Sequence, residues 1–170
     1  MAGITSDISS DTLQALPHMT GIAPDLDLDA LPDSPLDLFV EWFRSALHAG
    51  VPEAKAVTLS TVDADGLPDA RIVDLAAVTD DGVTFGTGAN SAKSQQLRDN
   101  DRAALSFWWQ PQIRAVRLRG PVVLDEPAPG FALWTLDPTH VEFWQSTGER
   151  SAARIFYTRT GGGWEREVIR

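Results

Sequence analysis

The stretch Ala56-Val57-Thr58-Leu59-Ser60-Thr61-Val62-Asp63-Ala64-Asp65-Gly66 indicates the fold class of this chain. Its first part, Ala56–Val62, is rich in β-branched residues and follows a period of two, as in a half-buried strand. The segment Asp63-Ala64-Asp65-Gly66 then supplies turn residues that join two strands. We therefore predict a strand at Ala56–Val62, a turn, and a second strand at Pro68–Thr79.

Runs of the same kind fill most of the remaining chain, separated by turn signals such as Asp80-Asp81-Gly82 and Gly161-Gly162-Gly163. The further predicted strands are Val83–Thr87, Ala103–Trp109, Ile113–Asp125, Phe131–Leu136, His140–Gln145, Ala152–Thr160 and Trp164–Ile169. Many short strands with few helices predict a mainly β fold, a small antiparallel barrel.

Two helices are predicted in this β-rich chain. The first begins after Ser34, with Pro35 at the first helical position and Asp37 at a capping-box spacing, and Gly50 ends it. Its apolar stripe is predicted to contain Leu36, Phe39, Val40, Phe43 and Leu47. The second helix, Ser91–Asn100, is short and polar.

The N-terminal segment has its own composition. Residues 1–33 carry scattered Pro, Gly and Asp, and we predict an irregular acidic arm that precedes a domain at residues 34–170. From Met1 to Phe43 there are eight Asp or Glu residues and no Lys or Arg, within a net charge of −10 for the chain. This distribution argues against a nucleic-acid partner, which requires clustered cations. One hypothesis is that the arm lies across a partner subunit's ligand pocket as a lid.

Several classes of protein are excluded or disfavoured by residue content. The chain has no cysteine, so disulfides and cysteine-based zinc sites are excluded, and its three histidines lack a metal-binding spacing. No Gly-x-Ser-x-Gly elbow is present. No apolar window approaches the ~20 residues of a membrane span, and the N-terminus lacks the features of a signal peptide. We expect no metal site, no membrane association and a cytoplasmic location.

A candidate anion site lies where the third strand meets the short helix. Thr87 ends the strand Phe85-Gly86-Thr87, and Ser91 and Lys93 open the helix. A helix N-terminus with a hydroxyl and a lysine favours an anion, and Arg71 on the preceding strand is suited to bidentate phosphate contact. On spacing alone, an ordinary set of surface cations is the favoured explanation of these residues.

A second candidate site lies near the C-terminus, in the segment Val141-Glu142-Phe143-Trp144-Gln145. Arg150 and Arg154 follow Trp144 across a turn. An aromatic plane beside two guanidinium groups suits a flat anionic ligand. The other five tryptophans are predicted to be core or interface residues.

With these motifs in this order, the chain resembles the pyridoxamine 5′-phosphate oxidase-like flavoproteins, which have an FMN-binding split barrel. The resemblance runs from Pro35 to Arg170. It implies a homodimer with FMN at the subunit interface and a small-molecule substrate. The residues that it assigns to the cofactor site are Arg71 and Lys93 for the phosphate, Ile72, Val73, Asp74, Leu75, Gly86 and Thr87 for the flavin and ribityl chain, Ser91 beside them, and Trp144 and Arg154 from the partner subunit. Arg150 is assigned to the substrate's anion, and no side chain is assigned as a general base.

The chain also departs from the vitamin-B6 oxidases that it resembles. Those enzymes carry a substrate-binding lysine where this chain has Ala76, a histidine at Ala152 and a flavin-contacting glutamine at Ala115. A helical segment of the family falls between Asp125 and Pro127 and is absent here. Ala76 and the pattern Thr87-x-Ala89-x-Ser91-x-Lys93 are more similar to the branch that oxidises dihydrophenazines.

The favoured hypothesis is therefore an FMN-dependent oxidoreductase that acts on a small aromatic or heterocyclic metabolite. A pyridoxine or pyridoxamine 5′-phosphate oxidase with a rebuilt pocket is the first alternative. A barrel that binds flavin or another small ligand without catalysis is the second. A haem- or deazaflavin-binding relative on the same barrel is the third.

Overall fold

The computed structural model describes residues 8–125, 129–148 and 151–170, with the side chains of 147 and 148 left out. Within these residues the chain forms three α-helices and nine strands, which confirms the mainly β prediction. The helices are α1 (Ser10–Gln14), α2 (Pro35–His48) and α3 (Ala92–Asp99). The strands are β1 (Ala56–Val62), β2 (Pro68–Thr79), β3 (Gly82–Gly88), β4 (Arg102–Trp109), β5 (Arg114–Leu124), β6 (Phe131–Leu136), β7 (His140–Gly148), β8 (Ser151–Thr160) and β9 (Gly163–Ile169).

Six of these strands close into an antiparallel barrel. They are hydrogen-bonded in the order β4-β1-β2-β3-β6-β5, and pairing of β4 with β5 completes the ring. Each of the six strands is therefore hydrogen-bonded to a neighbour on both sides over at least part of its length. Strands β7, β8 and β9 extend the sheet beyond β5. The predicted split-barrel fold is confirmed.

Strand β5 belongs to both the barrel and its extension. Its first half, Arg114–Arg119, pairs with β7, and its last residues, Val122–Leu124, pair with β6. Gly120 lies at the change of partner, where a Cβ would be 2.0 Å from the carbonyl oxygen of Asp137. Only glycine lets the chain between β6 and β7 pass this close to β5.

Helix α2 covers the barrel core with a different stripe from the one predicted. Its buried side chains include Phe39, Trp42 and Ala46, whereas Leu47 is 57% exposed. The Trp42 ring packs edge-on against Phe143 at 5.1 Å, and this large contact fixes the buried face one position away from the predicted one. Ser34 is the N-cap as predicted, but in the described structure its side chain makes no capping hydrogen bond.

The N-terminal arm packs against its own barrel. Leu31 is buried in the core, and the Tyr157 hydroxyl donates a 2.7 Å hydrogen bond to the carbonyl oxygen of Pro32. Arg166 donates to the same carbonyl at 3.0 Å. The prediction of an irregular arm is wrong at Ser10–Gln14, which forms a short helix because the Ser9 side chain accepts a hydrogen bond from its first turn. Among the described residues, no helix is long and apolar enough to cross a membrane.

Candidate cofactor and ligand site

Strands β2 and β3 separate at the residues predicted to line a flavin. Their pairing runs only from Leu75 opposite Phe85 to Thr79 opposite Gly82, and it includes a bulge after Leu75. The Leu75 N–H donates to the Lys55 carbonyl at 2.9 Å. Because hydrogen-bonded residues alternate along an antiparallel strand, the odd-numbered residues of β2 direct their backbone N–H and C=O groups towards β1. The backbone N–H and C=O of Ile72 therefore point away from β1, towards the opening between the two strands.

The neighbouring predicted residues have structural partners of their own. The Val73 side chain is 8% exposed and belongs to the core. The Asp74 carboxylate pairs with Lys55 at 2.8 Å on the surface, and this hydrogen bond raises the pKa of Lys55. Gly86 lies under the Phe131 ring, because a Cβ there would be 2.3 Å from the ring's Cζ atom. The sequence reasoning missed Phe131, which is 46% exposed beside the opening.

Arg71 is held in a hydrogen-bonded network that joins three elements. Its guanidinium donates to Thr61 Oγ1 at 2.6 Å, to Gln96 Oε1 at 2.9 Å and to the Asp69 carboxylate. The Gln96 amide also donates to Asp69 at 3.1 Å, and this bond, together with Arg71, lowers the pKa of Asp69. The Arg71 side chain is 18% exposed, so one guanidinium face is fixed by β1, β2 and α3.

The N-terminus of α3 lies beside this network. Ser91 caps the helix by accepting from the Ser94 N–H at 3.4 Å, and its hydroxyl lies 3.3 Å from that of Thr87. Lys93 stands three residues before Gln96 and therefore on the same face of α3. Lys93 makes no ion pair within the described part of the chain. The structure thus brings Thr87 and Ser91 together, and Gln96 connects Arg71 with the helix that carries Lys93.

Gln96, Asp69 and Thr61 were missed as members of the site. Asp69 is separated from Arg71 by one residue and so shares its strand face. Gln96 follows Lys93 by three residues, a spacing that places both side chains on one face of a helix. Both patterns were present in the sequence, but the pairing of Thr61 with these residues depends on strand register.

Trp144 and Arg154 lie on the outer face of the sheet. Trp144 is directly opposite Ala115 on one side and Arg154 on the other. Trp108 flanks Ala115 on β4, and its ring centroid is 6.2 Å from that of Trp144. Beside them is a hollow of about 250 Å³ whose lining residues are Ser106, Ala115, Val116, Arg117, Glu142, Trp144 and Arg154.

The two groups of predicted residues lie on opposite faces within one protomer. Directly opposite residues in a sheet share a face, and Arg71 is opposite Leu59, which is fully buried. Trp108, on the face of Trp144, is 48% exposed. A single protomer therefore does not bring Arg71 and Trp144 to one surface.

A large cavity separates the arm from the ends of β7 and β8. It measures about 970 Å³ and is lined by arm residues and by Ile113, Trp144, Gln145, Ser146, Ser151 and Ala152. The Ile22 N–H donates to the Pro111 carbonyl at 2.8 Å, and Gln145 Nε2 donates to that of Pro24 at 2.7 Å. The arm is thus fixed over this cavity. Arg150, predicted to contact substrate, lies outside the described residues.

Arg114 is a buried charge that the sequence reasoning missed. Its side chain donates to Gln145 Oε1 at 2.6 Å and stacks on the Trp42 ring at 4.1 Å. Burial lowers the pKa of Arg114 to about 10, which leaves it protonated at neutral pH. Its position on the inward-facing side of a strand was the available signal. Among the described residues, no group of three or more His, Asp or Glu side chains is placed to hold a metal ion.

Comparison with known families identifies the family of this chain. Residues 43–145 match the family model described as pyridoxamine 5′-phosphate oxidase. Residues 131–169 match the model of the pyridoxine 5′-phosphate oxidase C-terminal dimerisation region. The chain belongs to the pyridoxamine 5′-phosphate oxidase family.

Curated members of this family match over different lengths. The pyridoxine/pyridoxamine 5′-phosphate oxidase of Hyphomonas neptunium is 31% identical over 212 aligned positions, covering 92% of this chain and 97% of the relative. That alignment is longer than the 170 residues of this chain, so the relative carries residues that have no counterpart here. The enzyme of Bordetella petrii is 50% identical over 94 residues, 55% of this chain and 45% of the relative. The chain spans about half the length of such relatives.

Two solved structures share the fold of this chain. PhzG from Burkholderia lata, in complex with tetrahydrophenazine-1-carboxylic acid, has a TM-score of 0.83 at 22% identity, covering 88% of this chain and 100% of that chain. A pyridoxamine 5′-phosphate oxidase-related, FMN-binding protein from Nostoc punctiforme has a TM-score of 0.69 at 22% identity, covering 83% and 98%. At these identities the similarity supports the split-barrel fold.

The three alanines predicted from the sequence to differ from the B6 oxidases lie at three places in the structure. Ala76 lies in the bulge of β2, between Leu75 and Ala77. Ala152 lines the cavity beneath the arm. Ala115 lines the hollow beside Trp144. Each position therefore lacks a polar side chain at a surface that borders the candidate site.

Proposed function

We propose that this protein binds FMN and is an oxidoreductase that oxidises a small aromatic or heterocyclic metabolite. The observation that carries the proposal is the separation of β2 from β3 beside Arg71 and the N-terminus of α3. An opening with two cations at its end and unpaired backbone along its edge suits a ligand with a phosphate and a flat polar ring.

The residues present fit FMN. Arg71 and Lys93 would hold the phosphate, with the hydroxyls of Thr87 and Ser91 and the first N–H groups of α3. Asp69 and Gln96 orient the Arg71 guanidinium without neutralising Lys93. The backbone from Ile72 to Leu75, together with Gly86, would contact the ring and the ribityl chain.

A homodimer completes this site in the proposal. Trp144 and Arg154 face outwards, away from the side on which Arg71 lies. We propose that each site takes Arg71 and Lys93 from one protomer and the partner's Trp144 and the partner's Arg154. The match of residues 131–169 to a dimerisation region supports this arrangement.

The chemistry belongs to the cofactor, and the protein supplies binding and orientation. When bound, FMN would supply the redox chemistry, in which the reduced substrate loses a hydride and one proton and O₂ takes up the two electrons and two protons as H₂O₂. Arg71 and Lys93 fix the cofactor's phosphate, and Trp144 presents an aromatic face to a flat ligand. Arg150 remains the proposed contact for a substrate anion. A cytoplasmic location also remains a prediction.

Oxidation of pyridoxine or pyridoxamine 5′-phosphate is the second candidate, because curated relatives that cover most of the chain carry that name. Ala76 and Ala152 count against it, since they replace the lysine and the histidine of the B6 oxidases. Each lost charged hydrogen bond costs about 1.5–3 kcal/mol, so the phosphate ester would lose most of its affinity. A reduced heterocycle without a phosphate does not need these contacts.

The visible absorption spectrum of the purified protein is the first test. A flavin spectrum supports the proposal, and a colourless protein with no FMN affinity contradicts it. Anaerobic mixing of the FMN-loaded protein with reduced phenazine-1-carboxylate or with pyridoxine 5′-phosphate then separates the two candidates. We expect rapid flavin bleaching with the former only. Bleaching with pyridoxine 5′-phosphate alone would assign the second candidate.

A further inference from the structure

The hollow on the outer face contains a cation that the proposed cofactor site does not use. Arg117 lies directly opposite Glu142 on β7 and donates a hydrogen bond to Glu142 Oε2. Arg154 donates to the other oxygen, Oε1, through Nε at 3.0 Å and Nη2 at 2.5 Å. One carboxylate therefore fixes two guanidinium groups side by side.

The charge of this cluster is unbalanced. Glu142 is 12% exposed, and both of its oxygens are occupied by the arginines. Arg117 and Arg154 are 51% and 47% exposed, so each presents part of its guanidinium to solvent. Among the described residues that line the hollow, these three are the charged ones, which leaves one positive charge in excess. A guanidinium has five N–H donors, and the bonds to Glu142 use only some of them.

The shape beside the cluster selects for a flat group. Ala115 and Trp144 line the hollow next to Arg117, and the Trp108 ring packs against that of Trp144. The Arg154 guanidinium lies over the Phe156 ring at 5.2 Å, which further restricts its orientation. An indole next to two oriented guanidinium groups suits a planar ring whose edge carries negative charge.

We propose that Arg117 contacts the anionic edge of a planar ring bound in this hollow, and that Glu142 is the positioning residue that orients Arg117 and Arg154 towards it. The inference rests on the proposed function, because the ring is either the flavin in its reduced, anionic form or an aromatic carboxylate substrate. Both present the same chemistry, a delocalised or carboxylate anion at the rim of a flat π-system. Ala115 lies on the same strand and has only a methyl group, so it cannot make a polar contact with the ring. Arg117 supplies that contact instead.

The test compares Arg117→Gln with Arg119→Gln in the FMN-loaded protein. Arg119 lies on the same strand and the same face but does not line the hollow, so its loss changes the charge without removing the contact. The measurements are the dissociation constants of phenazine-1-carboxylate and of unsubstituted phenazine, and the midpoint potential of the bound flavin. Melting curves and sedimentation report folding and dimerisation.

The two sources of the anion give different results. If the substrate supplies it, Arg117→Gln weakens phenazine-1-carboxylate about tenfold or more, as for a lost charged hydrogen bond, and leaves phenazine unchanged. If the flavin supplies it, Arg117→Gln lowers the midpoint potential, because a cation that stabilises the reduced anion has been removed, and both phenazines respond alike. In either case Glu142→Gln changes the same measured value, the affinity or the midpoint potential, as Arg117→Gln. Arg117→Lys retains the charge and therefore changes that value less than Arg117→Gln does.

Three outcomes would overturn the inference. In the first, Arg117→Gln changes neither quantity. In the second, Arg119→Gln has an equal effect, which would indicate long-range charge alone. In the third, Arg117→Gln alters only dimerisation. If the wild-type protein binds no FMN, the proposed function fails, but the hollow is still tested by quenching of tryptophan fluorescence with phenazine-1-carboxylate in the flavin-free protein. Unchanged quenching in Arg117→Gln would then reject this inference separately.

Discussion

Arg71 on β2 donates a 2.9 Å hydrogen bond to the side chain of Gln96 on α3. This bond ties the strand at the opening of the barrel to the helix that carries Lys93. Gln96 also donates to Asp69, so its amide fixes the carboxylate and the guanidinium together. The position of the Arg71 cation thus depends on a residue that would not itself touch a phosphate.

The role of Gln96 can be tested by removing its side-chain hydrogen bonds. We expect Gln96→Leu to weaken FMN binding about five- to tenfold, because Arg71 would lose the acceptor that orients it. Gln95→Leu is the matched control, since Gln95 is on the same helix but bonds to Asp99. Flavin fluorescence titration measures both variants. Equal FMN affinities for Gln96→Leu and the wild type would contradict a role for Gln96 in orienting Arg71.

The outer face is expected to form the dimer interface. Trp108 is 48% exposed there, next to Trp144. We expect Trp108→Glu to shift the protein from dimer to monomer in analytical ultracentrifugation and to weaken FMN binding in parallel, because burying an unpaired carboxylate is costly. Leu47→Glu, at an apolar residue on α2 that is at least as exposed as Trp108, should leave the dimer intact. A dimeric Trp108→Glu variant with normal FMN affinity would place the interface elsewhere.

The close approach of Gly21 to the barrel is expected to hold the N-terminal arm in place. A Cβ at Gly21 would lie 2.4 Å from the Gln110 carbonyl oxygen, so Gly21→Val should displace the arm. Hydrogen–deuterium exchange at the Ile22 amide, which bonds to Pro111, should then accelerate. Gly161→Val is the control, because a Cβ there meets nothing within 4 Å. If exchange at Ile22 is the same in Gly21→Val and the wild type, the arm is not fixed in this way.

Tyr157 is expected to stabilise the fold in a pH-dependent manner. Burial raises the pKa of its hydroxyl, which donates to the Pro32 carbonyl in the neutral form. Because the folded pKa is the higher one, this contribution is complete below the ordinary pKa of 10.0 and is lost as the pH rises through the folded value. Tyr157→Phe should lower the free energy of unfolding by about 1 kcal/mol at pH 7. The difference between the two proteins, measured by urea denaturation, should shrink above pH 10. A constant difference across that range would contradict this explanation.

The strands were largely predictable because their signals are local. The turns around Gly66 and Gly82 separate alternating runs, and the strands on either side of each turn pair antiparallel. The helix stripe was not predictable to the residue, because Trp42 selects the buried face through its contact with Phe143 on a distant strand. The path of the arm likewise depends on Gln145 and Tyr157, which lie far away in sequence.

The candidate site was predictable in part, for the same reason. Arg71, Ser91 and Lys93 are recognisable by residue type and position. Gln96 shares a helix face with Lys93, but the contacts of Arg71 with Gln96 and Thr61 depend on strand register and on how α3 packs, which no short motif encodes. The pairing of Arg117 and Arg154 on Glu142 requires three adjacent strands to be in register.

The central claim is that Arg71 and Lys93 hold the phosphate of FMN. Titration of the flavin-free protein with FMN, followed by flavin fluorescence, tests it most directly. We expect saturable binding by the wild type, a loss of affinity of about 10- to 100-fold in Arg71→Met and in Lys93→Met, and no change in Arg102→Met, whose cation pairs with Asp101 on the surface. Equal FMN affinities in all four proteins, or no binding by the wild type, would contradict the account.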